Sequence, residues 1–393
     1  MLRKLLQSFA LFFSGITTAC GHPTLDDLWD GRARLEQVGE LNYGGLHENG
    51  VPKVSAGWYT VADGRWFAFG RSVPLNRPSY CPNDHTEVIV TESRDKGRTW
   101  SAPVTAVSPG ASTSGDGCAI LDGSTFYDGT TGTWHMLAQC LDRNNQGGWA
   151  ICHYTRKAET PNGSFAPDPS NPVVRGGKLW ATICAGAHKS CPSGVIDEGT
   201  PDIVEKRGGR FIVTFHGFDG QKGYRMVVAT PDFRSWIVAG RGLPNDAILT
   251  STDCSKWLAD CVGFGEATAI RSGSHIYIVA EAMNRSLLCQ EDQTWGFTLL
   301  RSKDEEWPIS GREKWELFWK NPLLRPSKPD AKTLCQVAYA RWLVDGNETY
   351  LIYEDWAPQH KQLHRRLLKL FKGAGSALTI RDPLAHLANP QIR

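Results

Sequence analysis

A glycine turn recurs five times along this chain of 393 residues, each time between two runs rich in aromatic and β-branched residues. The segments are GWYTVADGRWFAFG (57–70), DGSTFYDGTTGTWHMLAQ (122–139), DIVEKRGGRFIVTFHG (202–217), EATAIRSGSHIYIVAEA (266–282) and YARWLVDGNETYLIYEDW (339–356). Their turn glycines, Gly64, Gly129, Gly209, Gly273 and Gly346, stand 65, 80, 64 and 73 residues apart. Each interval has room for about four short strands with their turns, the content of one propeller blade. The repeat predicts an all-β fold, a five-bladed β-propeller. Fifteen Trp, 40 Gly and 22 Pro fit short strands and tight turns and oppose a helical protein.

A second mark recurs near the outer end of the blades. SRDKGRTW (93–100) matches the Asp-box pattern S-x-D-x-G-x-T-W, TPDFRSW (230–236) is a shortened form, and SKDEEW (302–307) a weaker one. In such a turn a Ser, Thr or Asp side chain bonds backbone N–H groups while the Trp packs between blades. The pattern speaks for structure and says little about chemistry.

The first nineteen residues read as an export signal. Arg3 and Lys4 precede an apolar stretch from Leu5 to Ile16, and Thr17-Thr18-Ala19 offers small residues for cleavage. No other run approaches the roughly 18 apolar residues that a spanning helix needs. The expected layout is a signal peptide at 1–19, an N-terminal segment at 20–44, a propeller at 45–376 and a C-terminal tail at 377–393. Cys20 follows the cleavage point, where it could carry a lipid anchor, and ten further cysteines remain to pair in an oxidising compartment. Cys140 and Cys152 are expected to face each other across a hairpin, while Cys184 with Cys191 and Cys254 with Cys261 could each staple a loop. Acceptor tripeptides at Asn162, Asn284 and Asn347 would matter only in a eukaryotic secretory pathway. The basic, apolar HRRLLKLFKGAG (364–375) reads as a closing strand or a solvated C-terminal segment rather than a membrane-binding helix. A net charge of +2 gives no field that would favour nucleic acid.

Three acids keep count with the turns. Asp122, Asp202 and Glu266 each lie seven residues before their turn glycine, where the first and last repeats have Gly57 and Tyr339. Inner strands of a propeller converge, so equal positions on them ring the axis at one height. A single acid near a strand start is more often a turn cap or an arginine partner. Three at one register, in consecutive blades, point instead to a shared ligand. Clustered carboxylates raise one another's pKa, and glycoside cleavage uses that shift directly. One carboxylic acid protonates the leaving oxygen while a carboxylate activates water or attacks carbon. No cofactor is required for this. The same ring of oxygens could instead hold a structural Ca²⁺.

On these motifs the chain resembles the five-bladed glycosidases of glycoside hydrolase families 43 and 62, and more distantly family 32. LDGSTFYDG is similar to their first acidic motif, IDEGTPDIVEKRGGRF to the second and FGEATAIRSGSHIYIV to the motif of the proton donor. The resemblance implies that Asp122 is the general base, that Asp202 tunes the donor and holds substrate, and that Glu266 is the general acid. It implies an inverting, secreted hydrolase of furanoside or pentoside linkages, a monomer meeting an oligo- or polysaccharide. Three departures stand out. A whole blade precedes Asp122, Gly123 stands where Pro is expected, and Glu198 in DEGTPD could be the donor if the segment follows the Glu-Cys-Pro-Asp motif of family 32.

Two rival readings remain. A sialidase would share the Asp box and would need an arginine triad, for which Arg71, Arg210, Arg271 and Arg341 are candidates. A carbohydrate-binding propeller would need aromatic platforms but no set of acids at one depth. His47, His85 and His216 lie near loop or strand ends without metal spacing and are left outside the site.

Overall fold

The computed structural model describes residues 21–43, 47–48, 51–52, 54–73, 78–81, 85–111, 114–141, 148–176, 178–180, 197–284, 295–303, 311–325, 336–357, 362–374 and 378–379. Hydrogen bonding divides them into five antiparallel sheets, the five blades that the glycine repeat predicts. Blade I is built from Val54–Ala62, Arg65–Ser72, Glu87–Ser93 and Val104–Val107. Blade II has Ala119–Asp128, Thr133–Leu141, Ala150–Lys157 and Ala166–Pro167, and blade III has Asp197–Arg207, Arg210–Phe218, Gly223–Thr230 and Ala247–Leu249. Blade IV follows with Cys261–Ser272, His275–Asn284, Gly296–Ser302 and Trp315–Leu317. Blade V takes Gln336–Asp345, Glu348–Ala357 and Gln362–Lys372 from the end of the chain and Ala33–Glu40 from its beginning.

That last pairing locks the ring. Leu35 lies opposite Leu370 in an antiparallel ladder, and the short strand Leu378–Thr379 adds to the other edge of the same N-terminal strand. The segment HRRLLKLFKGAG thus supplies a strand of the closing sheet. The propeller itself draws on residues upstream of position 45. Apolar faces then fill each joint between blades. At the closing joint, Trp66 and Ala68 of blade I pack on Leu343, Tyr350 and Ile352 of blade V. Between blades IV and V, Tyr277, Val279 and Phe297 meet Trp342, Leu351 and Leu368.

The hairpin turns explain the glycine pattern. Asp63 and Gly64 (φ +51° and +67°), and Gly208 and Gly209 (+57° and +77°), both occupy the left-handed region that a tight two-residue hairpin requires. Blade II differs, because its turn is longer and its left-handed glycine is Gly132, not Gly129. In the SRDKGRTW turn the Ser93 hydroxyl accepts from Gly97 N at 2.8 Å, and the Asp95 carboxylate accepts from Thr99 N at 2.8 Å. TPDFRSW closes in a related way, with Phe233 N donating to Thr230 Oγ1 at 2.8 Å and Ser235 N to Asp232 Oδ1 at 2.7 Å. SKDEEW falls largely outside the described residues.

Disulfides join Cys140 to Cys152 and Cys254 to Cys261 as expected, and a third joins Cys81 to Cys118. Cys20, Cys184 and Cys191 lie outside the described residues. Disulfides fit an extracytoplasmic protein, and among the described residues no helix is long and apolar enough to cross a membrane.

At the joint of blades II and III, His135 Nδ1 lies 3.0 Å from His153 Nε2, and His153 Nδ1 lies 3.3 Å from Asp168 Oδ2. Phe233 stacks on His153 with ring centroids 4.3 Å apart. Burial pushes both imidazoles down to about 4. Unfolded, each would gain its proton near 6.5, while the folded protein refuses it until about pH 4. Stability is therefore full above pH 6.5 and lost as the pH falls from there toward 4, which thermal melting across that range will show as a falling midpoint. A second expectation concerns ring closure. Leu35 is fully buried in the N-terminal strand, so Leu35→Ala should cost about 2–5 kcal/mol in urea unfolding.

Candidate functional site

The five innermost strands share one irregularity. Near its funnel end each carries two residues without a partner across the ladder, namely 56–57, 121–122, 200–201, 265–266 and 339–340. Such bulges re-aim side chains. Asp122 and Glu266 are both the second residue of their bulge, which places them alike. Asp202 sits one residue beyond, because a further irregularity between Ile203 and Glu205 shifts blade III. Equal counts from the turn glycines thus conceal a one-residue offset. Blade I has no acid here for a steric reason. A Cβ on Gly57 would lie 2.3 Å from the Tyr43 hydroxyl and 2.9 Å from that of Tyr59. Gly123 is likewise enforced, since an added Cβ would come within 2.2 Å of the Leu137 carbonyl oxygen.

Two of the acids meet around one guanidinium. Arg341, on the innermost strand of blade V, is 2% exposed. Its Nη2 pairs with Glu266 Oε1 and donates to Gly123 O at 3.0 Å, and its Nη1 lies 3.9 Å from Asp202 Oδ1. Asp202 Oδ2 accepts from Ala269 N at 2.7 Å. Asp122 Oδ1 lies 3.6 Å from Arg71 Nε of blade I. So every blade contributes, and the three acids predicted from sequence do converge.

Burial dominates the electrostatics. It raises the Asp202 carboxyl above its usual range despite the opposing charge of Arg341 and the Ala269 N–H. It lowers Arg341 despite Asp202 and Asp122. Arg71 is part-buried, and although burial works against its charge, Asp122 and Tyr339 hold it charged and raise it. Arg71 keeps 25% of its side chain exposed, more than Asp122 at 8% or Asp202 at 9%.

Four further residues shape the site. Fully buried Arg225 donates to the carbonyls of Thr200, Thr214, Gly265 and Ala267, clamping both neighbours of Glu266. Burial brings its pKa down to about 9. Gln139 accepts from Thr200 N at 3.2 Å, holding that bulge residue at φ +43°. Tyr339 and Glu281 complete the blade V side. A lone Arg in GYRMVVAT and a lone Glu in IYIVAEA were the available signals, charges set in apolar strands.

Other expectations resolve differently. Glu198 pairs through its backbone with Gly217, and its side chain lies outside the described residues, as does that of His47. His85 Nδ1 meets Cys118 O at 2.9 Å, away from the acids, whereas part-buried His216 packs near Gly199 and is pushed down to about 4 by burial. Arg210 is exposed at a hairpin turn, and Arg271 pairs with Glu205 at 2.8 Å, so of the four arginines only Arg71 and Arg341 reach the site. No group of three His, Cys, Asp or Glu among the described residues is arranged to hold a metal.

Several solved structures share this architecture. An exo-1,5-α-L-arabinanase from a bovine ruminal metagenomic library is 14% identical with a TM-score of 0.52, over 82% of this chain and 95% of that one. A family 117 glycoside hydrolase from Zobellia galactanivorans is 10% identical at TM-score 0.53, over 90% and 94%. The α-L-arabinofuranosidase PaAbf62A from Podospora anserina is 12% identical at TM-score 0.51, over 88% and 99%. At such identity the likeness carries the fold, and it bears out the resemblance to five-bladed propeller glycosidases. No family model matches the chain, and no curated protein does.

Replacing Arg341 by Met would leave two buried carboxyl groups without their shared partner. The loss should reach about 3–5 kcal/mol by urea unfolding, with the Asp202 carboxyl shifted further upward in a carboxyl NMR titration.

Proposed function

We propose that this protein is a secreted glycoside hydrolase whose funnel carries Asp122, Asp202 and Glu266 as its acid–base set. One observation carries the reading, the convergence of acids from three consecutive blades on two arginines, Glu266 and Asp202 on buried Arg341 and Asp122 on Arg71. Structural carboxylates have no reason to meet at the axis of a ring. The propeller glycosidases with the same fold support the substrate class, and the disulfides together with the N-terminal apolar stretch support export.

In the proposed mechanism Asp122 activates water. Its Oδ1 makes no hydrogen bond among the described residues and lies 3.6 Å from Arg71 Nε. Glu266 and Asp202 share Arg341, and the guanidinium can fully serve one carboxylate at a time. Whichever holds it stays ionised, and the other is free to keep a proton. With Arg341 turned toward Asp202, Glu266 would take a proton from solvent and pass it to the leaving oxygen, while Asp122 takes one from the attacking water and returns it to solvent. Water attacking from the opposite side gives inversion, on furanoside or pentoside linkages of an oligo- or polysaccharide.

A second reading makes Glu198 the donor. It is favoured by the buried pair of Glu266 with Arg341, which stabilises the charged form of Glu266.

Glu266→Gln should lower kcat by about 10²–10⁴ on substrates with poor leaving groups and spare activated aryl glycosides. If Glu198→Gln shows that split and Glu266→Gln does not, the donor is Glu198. A screen of arabinofuranosides, xylosides, fructans and sialosides, with the product anomer followed by NMR, tests the substrate class. A retained anomer rejects inversion, and glycan binding without turnover in the wild type favours a carbohydrate-binding role.

A further inference from the structure

Glu281 is buried on the second strand of blade IV, opposite the bulge that carries Glu266. Its Oε2 accepts from Tyr339 N at 2.9 Å. Tyr339 is the first unpaired residue of the blade V bulge and holds a left-handed φ of +56°, a costly conformation for a bulky side chain. The bulge removes the ladder partner of this N–H, and Glu281 takes that place. From Tyr339 the contacts run on to the site. Its hydroxyl accepts from Arg71 Nη2, and its ring lies beneath the same guanidinium, 5.4 Å from Cζ to the centroid. Arg71 in turn reaches Asp122.

We propose that Glu281 is a positioning residue for Asp122, acting through Tyr339 and Arg71 across blades IV, V, I and II. The proposal rests on the hydrolase reading above, in which Asp122 is the base. Glu281 touches no substrate in this scheme. It fixes the backbone of Tyr339, which fixes the cation that orients the base.

Its charge state follows from its surroundings. Burial pushes the Glu281 carboxyl up to about 8, with Asp122 and Glu354 adding to the rise and the Tyr339 N–H and Arg71 opposing it. The charged groups facing it are thus Asp122 from blade II, Arg71 from blade I and Glu354 from blade V, the last paired with Arg365 at 3.2 Å. At neutral pH Glu281 is a neutral acid that accepts one hydrogen bond. Losing its proton would place a second negative charge near Asp122 and draw Arg71 away from it.

Glu281→Gln mimics the protonated form and Glu281→Ala removes the anchor. The wild-type rate should fall above pH 8, and Glu281→Gln should keep its rate into that range. Glu281→Ala should lose on the order of 10- to 100-fold in kcat at every pH through misplacement of the base, with little change in KM. A merely structural role would not move the alkaline limb. Thermal melting supplies a readout without substrate. A carboxyl raised from 4.5 to about 8 stabilises the fold fully below pH 4.5, and the benefit is lost as the pH rises toward 8. The melting midpoint of Glu281→Gln should therefore gain on that of the wild type between pH 5 and 9. Superimposable alkaline limbs, or a melting difference that does not change with pH, would overturn the proposal. Should the wild type cleave no glycoside in the screen, the hydrolase reading fails alone and melting still decides whether Glu281 holds its proton.

Discussion

Arg341 is the charge on which the inner ring of this propeller depends. Its guanidinium is almost wholly removed from water and lies among groups from blades II, III and IV while belonging to blade V. Burying such a cation is expensive unless its donors are matched. Glu266, Asp202 and the Gly123 carbonyl provide the match. The dependence runs both ways. The carboxylates could not be packed at the axis without a cation between them, and the cation could not be buried without the carboxylates. A network of this kind contributes less to net stability than to specifying one arrangement, because any slip of a blade leaves a buried charge unpaired.

The bulges make that convergence feasible. A regular strand alternates its side chains between the two faces of a blade, and neither face points along the funnel axis. Two unpaired residues near the end of each inner strand break the alternation and free backbone groups for other partners. Arg225 takes up two of those carbonyls, of Thr200 and Gly265, together with the carbonyls of Thr214 and Ala267, and Gln139 takes the N–H of Thr200. Local irregularity in the ladder is thus compensated by buried side chains whose charge or amide has no other evident use. The same logic leaves Glu281 on the Tyr339 N–H.

Much of this was legible in the sequence, but unevenly. The five blades follow from Gly64, Gly209, Gly273 and Gly346, which sit where backbone geometry demands them. Gly129 kept the count although Gly132 does the conformational work in that turn. The acids were legible because they recur at fixed spacing, yet the offset of Asp202 was not, since an extra residue in a ladder leaves no mark in composition. Arg341 appeared only as one of four arginines, and nothing linear separates it from Arg210, which ends at an exposed turn. Ring closure by residues 33–40 was invisible for a similar reason. A strand paired with the far end of the chain has no local signature.

The arginines also bear on what the funnel can bind. A sugar carboxylate would seek a guanidinium with open donors. Arg225 spends its donors on hydroxyls and carbonyls, Arg341 turns its Nη groups to Glu266, Asp202 and Gly123, and Arg71 gives Nη2 to Tyr339 and lies 3.6 Å from Asp122 through Nε. An anionic ligand would have to displace a buried carboxylate from its partner and would then face that carboxylate's charge in a medium that screens it poorly. A neutral sugar meets no such penalty. Under the proposed hydrolase reading, charge matching inside the ring would set this funnel apart from a carboxylate-gripping one and would favour an uncharged glycoside.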